Sequence, residues 1–223
     1  MRIYLIRHGD PHYPTDSLTE KGVDEARALA DYIGTIKPNL LFVSPLGRAR
    51  QTASYTEAVL NLQAEVLDWT RELDIRANDG SNRMAWDMTP LDFNQPAHQD
   101  DPAWQPSLIS LAKESDAWIA RLGWDKRGGA YHYNSERGIP KTLRVALFCH
   151  GGFGLTWLAH LLGIARHQMW SSFFLHTSSV TTILFDEREP GIATPRVIGL
   201  SELPHLYHSG FEPSRSGIKS LGD

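Results

Sequence analysis

The sequence predicts an α/β protein: a three-layer α/β/α sandwich on a mainly parallel sheet, with a helical and loop-rich insert near residues 75–142. Three observations predict it. Short apolar runs alternate with segments of helical period over the first 70 residues, the pattern of a parallel sheet with crossover helices. Two apolar runs, Ile3-Tyr4-Leu5-Ile6 and Val145-Ala146-Leu147-Phe148-Cys149, each stop at a histidine followed by glycine. Between them, from 75 to 142, the alternation breaks and strand signal is scarce.

The elements follow in order. Residues 1–6 read as the first strand and 9–17 as a loop holding Pro11 and Pro14. A helix begins near Thr19, with Glu20 suited to the dipole of its first turn. Val23, Ala26, Leu29 and Ile33 give that helix one apolar face, and Gly34 and Pro38 are expected to end the unit. Residues 40–43 form a second strand, Ser44-Pro45 opens a helix running to about Leu60, and 64–67 suit a third strand. Residues 104–122 carry one helix, with Leu108, Leu111, Ser115, Trp118 and Leu122 on one side, and 126–141 reads as loop. The strand ending at Cys149 is followed by a helix over 152–162. Residues 179–185 and 196–200 flank the turn Glu189-Pro190-Gly191 and fit a strand pair at a sheet edge. The tail after Tyr207 is polar and reads as mobile.

With 223 residues the chain suits one large domain, the insert forming a cap over the site. A net charge of −4 argues against a basic nucleic-acid footprint. The only cysteine, Cys149, excludes an intrachain disulfide and reads as a buried small hydrophobe rather than a nucleophile. The N-terminus enters a strand without the apolar core of a signal peptide. The longest apolar stretch, 155–165, is interrupted by His160 and too short to span a bilayer. These features lead us to expect a cytoplasmic protein with no membrane partner; oligomeric state is not legible.

Chemistry concentrates at strand ends, where open α/β sheets bind ligands. In Arg7-His8-Gly9 a neutral imidazole can attack phosphorus. The adjacent guanidinium can hold two phosphoryl oxygens in a planar fork, and Gly9 allows the backbone close to the ligand. Ser44-Pro45-Leu46-Gly47-Arg48-Ala49-Arg50-Gln51-Thr52 sets Arg48 at a helix N-terminus, where an anion is already favoured, whereas Arg50 reads as a solvated charge. Glu72 follows the third strand; burial and a phosphate dianion would raise its pKa toward that of a useful acid, with Asp68 and Asp74 as rivals. In His150-Gly151-Gly152 the imidazole could donate to phosphoryl oxygens, assisted by the following backbone amides.

Together these pieces resemble the histidine phosphatase superfamily, which includes the cofactor-dependent phosphoglycerate mutases and many phosphatases. The resemblance rests on Arg7-His8-Gly9, Leu18-Thr19-Glu20-Lys21-Gly22, Ser44-Pro45 with Arg48-Ala49 and Thr52, Glu72, and His150-Gly151-Gly152, in that order. It implies that His8 is the phosphorylated nucleophile. It also implies that Arg7, Gly9, Arg48, His150 and Gly151 make the phosphate pocket. Glu72 would protonate the leaving group and then activate water, with no metal or organic cofactor. Asp10 stands where the family often has Glu or Gln, and the Trp-Asn pair usual in mutases is replaced by Asp10-Pro11-His12-Tyr13-Pro14-Thr15. The loop asparagine often found as an extra phosphate ligand is missing, which favours a phosphatase over a mutase and leaves a weakened phosphate site open.

The middle region shows no family pattern. Of its aromatics, Trp104 and Trp118 read as packing, while Trp86 and Arg83 are the candidates for substrate contact. Four other readings compete with a phosphohistidine phosphatase of a small phosphorylated substrate. One is a mutase-type phosphotransferase. Another is a metal hydrolase built on His8, Asp10, His12 and His150, against which Arg7 counts. A third is a non-catalytic binder of a phosphorylated ligand. The fourth, an esterase suggested by His150-Gly151-Gly152-Phe153-Gly154, fails for want of a Gly-x-Ser-x-Gly elbow.

Overall fold

A computed structural model describes residues 1–94 and 101–218. Its main sheet has eight strands: β1 (Arg2–Arg7), β4 (Leu40–Val43), β5 (Ala64–Val66), β6 (Trp124–Arg127), β7 (Ala130–Tyr133), β8 (Arg144–Cys149), β9 (Val180–Glu189) and β10 (Ile192–Glu202), in the spatial order β5-β4-β8-β1-β9-β10-β7-β6. The short β2 (Pro11–His12) and β3 (Ser17–Leu18) pair with each other in the loop after β1. Strands β5, β4, β8 and β1 are mutually parallel, and β9, β10, β7 and β6 continue the sheet by antiparallel pairing. Only β9 and β7 therefore run against the other six.

Among the described residues six α-helices accompany the sheet: α1 (Glu20–Ile36), α2 (Gly47–Leu60), α3 (Gln105–Arg121), α4 (Gly151–Leu162), α5 (Arg166–Ser172) and α6 (Pro204–Ser209). The two-residue period of the strands divides the core. Tyr4, Ile6, Ala146 and Phe148 pack with Leu29, Ile33, Ala49 and Ala53 of α1 and α2. Ile3, Leu5, Val145 and Leu147 pack on the other side with Trp118, Phe153 and Trp157 of α3 and α4. Phe42 joins that second layer and meets Trp118 edge-on, with ring centroids 5.2 Å apart.

Local chemistry sets the helix ends. Thr19 accepts from the Gly22 amide at the start of α1, a cap worth about 1 kcal/mol. The helix passes the expected stop at Gly34 and ends at Lys37, whose φ is +52°. Gly34 instead marks where α1 approaches α2, since a Cβ there would lie 3.0 Å from Val59 Cγ1.

Three expectations are corrected. Residues 126–141 contain most of the β6–β7 hairpin, turned by Gly128 and Gly129 at φ +56° and +84°, the conformation of a tight two-residue turn. That hairpin pairs with β10, so β9 and β10 lie inside the sheet and β6 is its edge. The tail returns to the body as far as it is described: the Ser214 hydroxyl is buried on Asp10, and Lys21 donates to the Pro213 carbonyl at 3.1 Å.

Candidate active site

Sheet register brings the two histidines together. Arg7 pairs with Cys149 across the parallel β1–β8 ladder, so His8 and His150 leave the sheet side by side, with ring centroids 5.2 Å apart. The His8 amide donates to the Cys149 carbonyl at 2.9 Å, and its carbonyl accepts from Ser178 at 3.0 Å. His8 Nδ1 lies 2.7 Å from the Gly9 carbonyl oxygen. A carbonyl only accepts, so Nδ1 carries the proton and Nε2 presents its lone pair, which accepts from Arg48 Nε at 3.2 Å. Burial, with Arg7 and then Arg48 nearby, holds the His8 pKa well below the ordinary imidazole value and keeps the ring neutral at pH 7.

Arg7 and Arg48 are buried yet reach a pocket of about 380 Å³. Arg7 Nη1 donates to the Leu175 carbonyl at 2.5 Å, while its buried Nε has no hydrogen-bond partner. Arg48 is braced by Asp16, whose carboxylate accepts from Nη1 at one oxygen and from the Gly47 amide at 2.6 Å at the other. Asp16 thereby supplies the cap of α2 that its own N-cap, Leu46, does not. Its backbone is left-handed, at φ +48°.

Glu72 lies in the same pocket wall, part-buried. Its carboxylate accepts from the Phe153 amide at 2.6 Å and from Gly152 and Leu73 at 3.2 Å each. Burial raises its pKa above the ordinary carboxyl value, against the opposing pull of the Phe153 and Gly152 amides, Arg7 and Arg48. The N-terminus of α4 thus orients an acid. His150 Nε2 is bonded to Ser44 Oγ at 2.7 Å, leaving Nδ1 buried without a partner. Its pKa is driven well below the usual value by burial, then by His8, Arg48 and Arg7.

Most residues singled out in the sequence meet here, with corrections of detail. Gly151 lines the pocket, but the amides of Gly152 and Phe153, expected to assist with phosphate, are committed to Glu72. His8 and His150 are buried just behind Arg7 and Arg48 rather than in the pocket lining, and Gly9 is absent from it as well. A Cβ on Gly9 would lie 2.7 Å from the Gly22 carbonyl oxygen, so its small size serves backbone packing against α1, and its amide donates to Thr52 Oγ1 at 3.0 Å. Trp86 lines the pocket, whereas Arg83 does not: its guanidinium is held by Asp79 and Asp92. Trp104 and Trp118 are buried packing groups. Burial pushes the Cys149 thiol well above its ordinary pKa, as fits a packing role. Asp68 and Asp74 are exposed and carry surface ion pairs with Arg71 and Arg76.

His8, Asp10, His12 and His150 do not gather. His12 bonds Thr15, and Asp10 bonds Thr19 and Ser214. Among the described residues no three His, Cys, Asp or Glu side chains could jointly hold a metal ion. Also among them, no helix is long and apolar enough to cross a membrane.

Several functional positions had no signal in the sequence reading. Asp16 acts from a loop that the chain places against α2 only in three dimensions. Tyr13, Trp170, Phe173 and Phe174 complete the pocket wall, and the last three belong to α5 and its exit, an ordinary apolar stretch in one dimension.

Residues 3–197 match the model of the histidine phosphatase superfamily (branch 1). The adenosylcobalamin/alpha-ribazole phosphatase of Escherichia coli (strain K12) is 24% identical over 191 residues, covering 76% of this chain and 83% of that one. Phosphoserine phosphatase from Entamoeba histolytica, in complex with phosphoserine, superposes with a TM-score of 0.65 at 17% identity, covering 92% of this chain and 98% of the other. Mycobacterial glucosyl-3-phosphoglycerate phosphatase with inorganic phosphate gives a TM-score of 0.63 at 22% identity, covering 92% and 98%.

Proposed function

The chain belongs to the histidine phosphatase superfamily, and from that premise we propose that it hydrolyses a small phosphomonoester through a phosphohistidine on His8, without a metal or organic cofactor. The observation that carries the reading is the state of His8: a neutral imidazole, tautomer fixed by the Gly9 carbonyl, its Nε2 lone pair turned toward an arginine of the pocket. The named relatives are all phosphatases, which supports the reaction class.

In the first step Arg48 Nε exchanges His8 Nε2 for a phosphoryl oxygen, and Arg7 Nε takes another. Nε2 attacks phosphorus as the bond to the leaving oxygen breaks, and the Glu72 carboxyl group, whose pKa burial raises, gives that oxygen its proton. Nδ1 keeps its proton on the Gly9 carbonyl throughout. In the second step the Glu72 carboxylate removes a proton from water, the water oxygen attacks phosphorus, and the P–Nε2 bond breaks to return His8 and release phosphate. His150, with a buried unpartnered nitrogen beside His8, serves as a further phosphate donor. Gly151 allows the close approach of Arg7, whose Nε would lie 3.3 Å from a Cβ there. Of the insert, the stretch Met84, Trp86 and Asp87 is the part that caps the site.

The test is hydrolysis of p-nitrophenyl phosphate in excess EDTA, with His8→Ala alongside. Turnover that survives the chelator and disappears in the variant is expected. Turnover abolished by EDTA and restored by a divalent metal would overturn the reading.

A further inference from the structure

The wall that faces the leaving group differs in kind from the phosphate cradle. Beyond Arg7 and Arg48, the pocket is lined by Trp86, Trp170, Phe173, Phe174, Met84 and Leu155, and no third cation contributes to it among the described residues. Its remaining charged groups are the carboxylates of Glu72 and Asp87. Both arginines are needed for the phosphoryl group, and each already faces an aromatic ring: Arg7 lies 5.7 Å from the Phe174 centroid and Arg48 5.5 Å from that of Tyr13.

Trp86 is fixed against the acid. A Cβ on Gly152 would lie 2.6 Å from three atoms of the indole, so the ring lies directly over the turn whose amides hold Glu72. An alcohol oxygen receiving a proton from Glu72 therefore leaves with its carbon skeleton against an indole face. At about 380 Å³ the pocket lies within the small-molecule range of about 300–1,000 Å³, and it extends well past a bare phosphoryl group.

We infer that the substrate is the phosphomonoester of an alcohol carrying an aromatic or other flat apolar group, with no carboxylate or second phosphate near the ester. This rests on the phosphatase reading above and narrows its substrate. An anionic leaving group would lose hydration against the rings of Trp86, Trp170, Phe173 and Phe174, where the described residues offer no further cation. A flat apolar group stacks on Trp86 and leaves water.

The test compares alkyl esters of similar leaving-group basicity, so that chemistry is held constant and recognition is read. Wild-type kcat/KM is measured for 2-phenylethyl phosphate, ethyl phosphate, O-phosphoserine and 3-phosphoglycerate. The phenylethyl ester is expected to exceed ethyl phosphate by roughly 10- to 100-fold, the equivalent of burying one aromatic side chain, with both carboxylate esters below ethyl phosphate. Trp86→Ala should collapse the phenylethyl-to-ethyl ratio toward one, its fold checked by circular dichroism. A wild-type preference for phosphoserine or 3-phosphoglycerate, or equal rates on all four, overturns the inference and leaves the phosphatase reading standing. Failure to cleave any of these esters or p-nitrophenyl phosphate overturns both.

Discussion

Replacing Glu72 by glutamine separates its chemical role from its structural one. Glutamine keeps one oxygen, which can stay on the Phe153 and Leu73 amides, but puts an NH2 group where the other oxygen accepts from Gly152 at 3.2 Å. Two donors then face each other, at a cost of about 1–2 kcal/mol. For a chain of this length that lowers Tm by roughly 2–8 °C and leaves the fold intact. The catalytic loss should be larger and selective. A positioned general acid contributes about 10²–10⁴-fold, or roughly 3–5 kcal/mol, when the leaving oxygen needs a proton. Steady-state kcat/KM for Glu72→Gln should therefore fall by about 10²–10⁴ with 2-phenylethyl phosphate, and by no more than about tenfold with p-nitrophenyl phosphate, whose phenolate leaves unaided. Equal losses on the two esters would refute Glu72 as the acid, whatever the variant's stability.

Asp16→Asn keeps an acceptor for the Gly47 amide but removes the charge that braces Arg48; kcat/KM should fall by about 5- to 30-fold, mainly through KM, with Tm nearly unchanged, and an unaltered KM would count against the brace. Gly152→Ala forces a Cβ into the Trp86 ring and should destabilise by about 1–3 kcal/mol, seen as a lower Tm; an unchanged Tm would show that the ring is not held there. His205 is buried with Nε2 3.0 Å from Ser178 Oγ, and burial lowers its pKa from 6.5 to about 4. Between those values the unfolded chain binds more protons than the folded one, so this group's contribution is full above pH 6.5 and is lost as pH falls toward 4. Between pH 7 and pH 4.5 the difference is about 2 kcal/mol, and denaturant unfolding at those two pH values should show it in the wild type and much less of it in His205→Gln.

What was legible in the sequence was whatever one strand or one helix decides alone. The runs ending at His8 and His150 are buried on both faces, so they are continuously apolar and their ends are plain. Arg48 and Glu72 were legible because each follows a short strand at the ligand-binding edge. The β6–β7 hairpin escaped because each of its strands, at and next to the sheet edge, buries essentially one side chain, Trp124 and Tyr131. Only the Gly128-Gly129 pair marks it in one dimension. The roles of Gly9, Asp16 and Ser214 depend on contacts with Gly22, Arg48 and Asp10 that arise only once distant segments pack. No local pattern encodes them.

The most direct test of the account is to quench turnover of the wild type and locate the phosphoryl group by mass spectrometry. With Nδ1 held by the Gly9 carbonyl, the account predicts an acid-labile, base-stable adduct on the His8 peptide, attached at Nε2, and none in His8→Ala. A phosphoryl group on His150 or at Nδ1 of His8, or sustained turnover by His8→Ala, would contradict it.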